Sequence, residues 1–514
     1  MKHPCFVVSL LGLALISALD TCDPLWAAEP RSPQAVTVER DSTKTVVPTA
    51  QPSADSPGHN LMAAKTVTVN PGDPLHTLVG RAPTGTSFLI ARGTHRIQQV
   101  QPKDGQSFIG MDGAILSGAE ELHGFTEDGA RWVLNGQAKR GTSQGTCAKT
   151  PDRTESKACQ YSQDLFMDNM VLVPAQSLGE LKPGWWYFDL ERGLIYVADD
   201  PSTHTFELSV TNTAFVGSVQ GVTIRGLTIE KFANPAQLGA IHNYSKPSQI
   251  GKNWLIEHNE IRLNHGVGIR VDEGAQVQNN HVHHNGQLGI AAQGNSGLIE
   301  KNEIAYNNTL GFSYWWEAGG TKFVRTRDLV VRQNHVHHNV GPGLWADADN
   351  LNVLYQDNLV EDNHGPGIFH EISYDAIIVD NVVRRNGFSI GWYSGAGILI
   401  AASSNVEVKG NRVEGNANGI IGVQQDRGQG PQGLYQVKNL HVHDNYIAMA
   451  VGASGLAFDP KYTGVRTPND TRFNSNAYTL GGQRQPFVWL GKALTKAEWH
   501  AQGLDSTGPL LPSP

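Results

Sequence analysis

The sequence predicts an all-β protein, a right-handed parallel β-helix solenoid, and three observations carry that reading. An asparagine motif, Asn-x-(Ile/Val)-x-x-Asn, opens at Asn259, Asn280, Asn302, Asn334, Asn358, Asn381 and Asn411 and is cut short at Asn445. The steps are 21, 22, 32, 24, 23, 30 and 34 residues, and a period near 22 with insertions marks repeats that bury their faces only against neighbours. Apolar runs are short and β-branched, as in Leu329-Val330-Val331, or alternate, as in Val406-Glu407-Val408; a helical repeat would space them at i, i+3 and i+4. After each second Asn comes a turn and then Gly with an apolar residue, as in Gly268-Ile269, Gly343-Leu344 and Gly397-Ile398. Three short strands per coil follow, with one turn fixed by Asn. That residue tolerates left-handed backbone and bonds its stacked counterpart one coil away.

The 514-residue chain is organised around these coils. Lys2, an apolar run from Phe6 to Leu19 and Ala27-Ala28 predict a secretory signal over residues 1–28. Residues 29–64, rich in Pro, Ser, Thr and Ala, are expected to form a disordered linker. Residues 65–119 hold the first coils. The period breaks over residues 120–207, where Trp132-Val133-Leu134, Trp185–Asp189 and Leu194–Val197 predict an inserted small β-subdomain. The main β-helix spans 208–457, and a C-terminal tail and cap occupy 458–514, with a strand at Phe487-Val488-Trp489 and a short helix around Trp499. The expectation is a monomeric, exported protein (periplasmic, extracellular or on the cell surface) without a membrane span. Cys147 and Cys159 remain after the signal and bracket a polar loop, as a disulfide would. A net charge of -8 leaves no basic stripe and argues against nucleic acid.

Chemistry is sought where the repeat deviates. Counting four residues on from each Gly gives a column reading Asp272, Gln293, Trp315, Asp347, Glu371, Ala401 and Val423, and two residues earlier one reading Arg270, Ala291, Ser313, Trp345, Phe369, Leu399 and Ile421. Alternation directs both outward if the first apolar residue points in. Asp347 and Glu371 would then stand roughly 5 Å apart on adjacent strands. Like charges so close separate in pKa, giving an acid and a base or nucleophile at the spacing of a retaining glycosidase pair. Asp349 and Glu317 widen the catalytic choice, as does His370, which alternation points inward unless its place at a strand end lets it swing to the cleft. The same acids also suit calcium, which takes oxygen ligands, or are solvated turn residues if the register is one off. The metal is left unassigned.

The long steps carry Trp315-Trp316-Glu317, Phe388–Tyr393 with Trp392, and Gln424–Gln429, and insertions in a solenoid border its binding surface. Trp315, Trp316, Trp345, Phe369 and Trp392 are expected to hold sugar rings, with Arg270 and Asp272 on the same face. Trp315 covering its own loop is the competing reading. His281-Val282-His283-His284 and His335-Val336-His337-His338 read as surface ladder positions: the two copies lie about 10 Å apart, too far for one zinc.

From about residue 206 to 457 the repeats resemble the right-handed parallel β-helix superfamily of pectate lyases, polygalacturonases, alginate lyases and mannuronan epimerases. Gly343-Leu344-Trp345-Ala346-Asp347-Ala348-Asp349-Asn350 and Gly367-Ile368-Phe369-His370-Glu371 look like those of a secreted bacterial subgroup. That resemblance implies a carbohydrate setting. No Asn-Thr-Asp with Gly-His-Gly, no Asp-Pro-His and no Arg-x-Pro-x-x-Arg is present, so no family catalytic residue carries over and the site rests on the stacking argument. The resulting expectation is a secreted polysaccharide-processing enzyme, first a glycoside hydrolase using Asp347 and Glu371. The alternatives are a uronate lyase or C5-epimerase, for which Arg270, His370, Lys322 or calcium would serve although nothing in the sequence places them together, and a non-catalytic glycan-binding or adhesion solenoid.

Overall fold

Two ladders of buried asparagine run along the main coils, from Asn259 to Asn476 and from Asn264 to Asn416. In the computed structural model, which describes residues 66–136, 145–148, 158–246 and 249–506, the side-chain amide of Asn259 donates to Asn280 Oδ1 at 3.0 Å, Asn280 to Asn302 and Asn302 to Asn334 likewise. The chain of bonds continues through Asn358, Asn381, Asn411 and Asn445 to Asn476. A second ladder links Asn264, Asn285, Asn307, Asn339, Asn363, Asn386 and Asn416. Each Oδ1 also accepts the backbone N–H of the previous Asn, as Asn334 accepts from Asn302 at 3.0 Å. Each turn therefore satisfies buried polar groups that a sharp bend would otherwise strand. The expected signal and linker lie outside the described residues.

Between the ladders, coils stack in parallel and in register. One coil comprises strands Leu344–Asp347, Leu351–Gln356 and Leu359–Glu361, and the next Ile368–Glu371, Tyr374–Val379 and Val382–Arg384. Leu344 pairs with Ile368, then Ile398, then Ile420. Val360 pairs with Val383, Val413 and Ile447 in succession. These columns are fully buried, which is why the sequence repeats β-branched residues at those positions. The fold is a parallel β-helix, all-β apart from short helices.

The ends and the interruption have separate cores. At the start, helix Leu75–Arg81 turns Leu75 and Val79 inward. Between Ala119 and Ser209, small sheets of four and five strands enclose Leu165, Trp186, Phe188 and Ile195. Cys147 and Cys159 are disulfide-bonded with Cα atoms 5.7 Å apart. At the far end, helix Lys496–Ala501 carries a capping box of Thr495 and Glu498 and stacks Trp499 on Phe487 at 4.7 Å. Asp505 is the last rung, accepting from Asn476 at 2.9 Å and from the Trp499 indole at 3.1 Å. No described helix is long and apolar enough to cross a membrane.

The ladder makes a graded prediction. Asn334→Ala strands donors and acceptors on both neighbouring coils and lowers stability by about 2–4 kcal/mol in urea unfolding. Asn405→Ala removes an exposed rung between Asp375 and Asn439 and costs about 1 kcal/mol, most of it from placing alanine in left-handed backbone.

Candidate functional site

Asp347 and Glu371 are register partners on adjacent strands. Alternation sends both outward while Ala346 and His370 between them point into the core. Their surroundings are specific. Glu371 is buried; its Oε1 accepts from the Arg427 guanidinium at 2.5 Å and its Oε2 from the Trp345 indole at 3.2 Å. Burial and the neighbouring Asp347 raise the Glu371 pKa above the ordinary glutamate value, against the opposing pull of Arg427. Asp347 Oδ2 pairs with Lys322 Nζ at 2.9 Å, while its Oδ1 is buried without a hydrogen-bond partner. A polar atom left unpaired in this way is ready for a ligand.

A cleft of about 260 Å³ opens over the pair. All three lengthened loops reach it: Trp315 from the first, Ile390 and Ser394 from the second, Gln425 and Arg427 from the third. Trp315 is 65% exposed and stands at the mouth in the one-turn helix Tyr314–Glu317. Trp345 and Phe369 stack at 5.6 Å and line the floor, yet only 4% and 7% of them is exposed, because they pack into a second apolar cluster with Leu399, Ile421 and Val423. They shape the floor and leave only ring edges open. A larger depression of about 560 Å³ lies over the inserted subdomain. There Asp189 is already used, accepting from the backbone of Glu191 and Arg192 at 3.1 Å.

Several sequence expectations need correction. Counting from Gly311 placed Trp315 and Ser313 in the outward columns, but the inserted residues precede the strand, which begins at Gly319. Lys322 therefore takes the outward place in line with Ala291 and Arg270. Its ammonium lies 3.9 Å from the Trp345 ring centroid, a cation–π contact that fixes it beside Asp347. His370 cannot serve the cleft: it is fully buried against the Tyr355 hydroxyl at 3.4 Å, and burial pushes its pKa down to about 3. Asp349 sits past the strand end in left-handed backbone, with φ 61°, and is held by the Tyr435 hydroxyl, so it does not join Asp347 and Glu371 in one calcium-binding set. Glu317 accepts from Gln237 at 2.8 Å and approaches Lys322 at 3.9 Å, touching the site only through that lysine.

The remaining aromatic and polar expectations fall elsewhere. Trp316 packs beside Phe312 near the disulfide, and Trp392 tilts on Tyr393 outside the cleft lining. Arg270 donates to the Gln237 carbonyl, and Asp272 accepts from Gln293 at 2.5 Å; both lie coils away from the acids. Arg427, within a loop marked only for its length, was missed as a partner of the acids, as Lys322 was in the column count. Its contact crosses 56 positions and has no periodic signal.

Similarity to known proteins is one of fold. Residues 239–447 match the family described as a right handed beta helix region. No curated protein matches the chain by sequence. Among solved structures, XylC in complex with xylose has a TM-score of 0.53 at 14% identity, covering 82% of this chain and 85% of that one. The A-module of the mannuronan C-5 epimerase AlgE4 of Azotobacter vinelandii has a TM-score of 0.49 at 13% identity, covering 82% and 92%. The fold these likenesses show is that of a right-handed parallel β-helix.

The packing separates two tryptophans. Trp345→Ala is expected to cost about 3–5 kcal/mol in chemical denaturation. Trp315→Ala leaves stability within about 0.5 kcal/mol, because its ring is mostly exposed.

Proposed function

We propose that this chain is an exported polysaccharide-processing enzyme and, within that class, a glycoside hydrolase working at Asp347 and Glu371. The observation that carries the reading is the facing carboxylate pair on the cleft floor, its members in different environments. Glu371, its pKa raised, keeps a proton to give to the glycosidic oxygen. Asp347, paired with Lys322 and with one oxygen free, is the base or nucleophile. Strand spacing of about 4.8 Å is nearer the separation of retaining pairs than of inverting ones. Trp315 offers the exposed ring for a sugar face. A protein of this fold forms a complex with xylose, and a glycan partner is consistent with that.

One observation favours a second reading. Lys322 and Arg427 put two cations against the acids, and these could neutralise the carboxylate of a uronate before β-elimination or C5-epimerisation. The test is a panel of neutral and uronate polysaccharides with products weighed by mass spectrometry. Oligosaccharides that each gained a water support hydrolysis. Unsaturated ends move the assignment to the lyase, and binding without turnover moves it to a non-catalytic glycan-binding solenoid.

If Glu371 is the acid, turnover falls as pH rises through its raised pKa, because the deprotonated form has no proton to give. Glu371→Gln and Asp347→Asn each lower kcat by at least about 100-fold while leaving the folded circular-dichroism spectrum unchanged.

A further inference from the structure

Three side-chain clusters away from the cleft share one construction. Residues i and i+2 of a strand project from the same face, so each His-x-His sets two imidazoles side by side. Coil stacking adds a glutamate from the preceding coil, in register with the first histidine: Glu260 with His281, Glu303 with His335 and Glu407 with His441. The paired rings lie 3.9, 4.1 and 4.0 Å apart. The second histidine's Nε2 stands 3.2, 3.2 and 3.1 Å from the glutamate Oε1. In every cluster one ligand atom from each residue lies within 4.8 Å of the others.

The residue after each pair repeats as well. His284 Nδ1, His338 Nδ1 and Asp444 Oδ2 face the Nδ1 of the second histidine at 2.8, 2.9 and 2.7 Å. Each of these residues is in left-handed backbone at the strand end. Engaging Nδ1 fixes the ring and leaves Nε2 for an ion, as the outer-shell partner of a metal-bound histidine does.

We propose that these are three sites for a divalent transition metal of the zinc class, formed by Glu260, His281 and His283, by Glu303, His335 and His337, and by Glu407, His441 and His443. Two imidazoles with one carboxylate suit zinc and not calcium, which wants six to eight oxygens. Three protein ligands leave a fourth position open to solvent. The first site is the strongest of the three, because its first histidine is least engaged elsewhere. His281 lies 3.8 Å from Glu303, whereas His335 bonds Glu361 at 2.9 Å and His441 bonds Asn474 at 2.7 Å. An ion at the first site must displace the Arg262 bond to Glu260 of 2.9 Å. The first two sites lie two coils, about 10 Å, apart and so hold separate ions.

Calorimetric titration of the full, untagged, chelator-treated protein with zinc chloride tests this. The expected result is saturable binding at micromolar zinc, with one equivalent lost in Glu260→Gln and in His283→Ala. His284→Ala keeps the stoichiometry and weakens the first site about 10-fold. Asp347→Asn, in the cleft, changes nothing, which separates this inference from the catalytic reading. Should a histidine variant misfold, cobalt added to the wild type decides: intense visible absorption of a four-coordinate ion supports the sites. The weak absorption of the hydrated ion overturns them, as does less than one equivalent of zinc bound at about 100 μM or an unchanged stoichiometry in both first-site variants.

Discussion

Everything this molecule displays on its surface depends on the register set by its asparagine ladders. A parallel coil has no intrinsic reason to stop sliding over the next, and a slip of one residue would exchange the inner and outer faces of every strand. The Asn side chains forbid it. Each amide bonds the next coil's Asn and a backbone carbonyl, as Asn334 does with Asn358 at 3.0 Å and with Ile299 at 2.9 Å. Buried polar groups left unpaired cost far more than each bond gains, so the ladder acts mainly by penalising every other alignment. Opposing Asp347 to Glu371, and Glu260 to His281, is a consequence of that penalty.

The cleft is the place where the solenoid departs from its own logic. On another sheet of the coils outward positions carry charge ladders, such as Glu361 with Arg384 and Arg385. Over Asp347 and Glu371 three loops wall a cleft, and Glu371 is buried beside a second carboxylate. Lys322 and Arg427 offset part of that cost, yet the Glu371 pKa stays raised and one Asp347 oxygen stays unpaired. A local arrangement that stability alone would not select points to chemistry.

Period, strand pattern and the opposed acids were legible because they rest on local rules: β-branched runs, Gly after the turn, and Asn at a fixed spacing. The failures also have a physical origin. Counting from Gly311 could not reveal whether the inserted residues come before or after the strand, since either order closes the coil. The count therefore mistook a loop tryptophan for a strand residue and passed over Lys322. Arg427 approaches Glu371 through a loop with no repeat to count along. The glutamate beside each His-x-His segment lies on the preceding coil, where sequence proximity says nothing. His370 shows the reverse case: alternation alone assigns it to the core, and the fully buried ring agrees.

The most direct test of this account is the titration of the Glu371 carboxyl itself, followed by infrared difference spectroscopy of the wild type against Glu371→Gln. The predicted result is a carboxyl signal that persists above the ordinary glutamate range and moves down when Asp347→Asn removes the facing charge. A Glu371 that ionises at the usual value, unmoved by the Asp347 substitution, would contradict the claim that stacked coils create an acid and a base on this face.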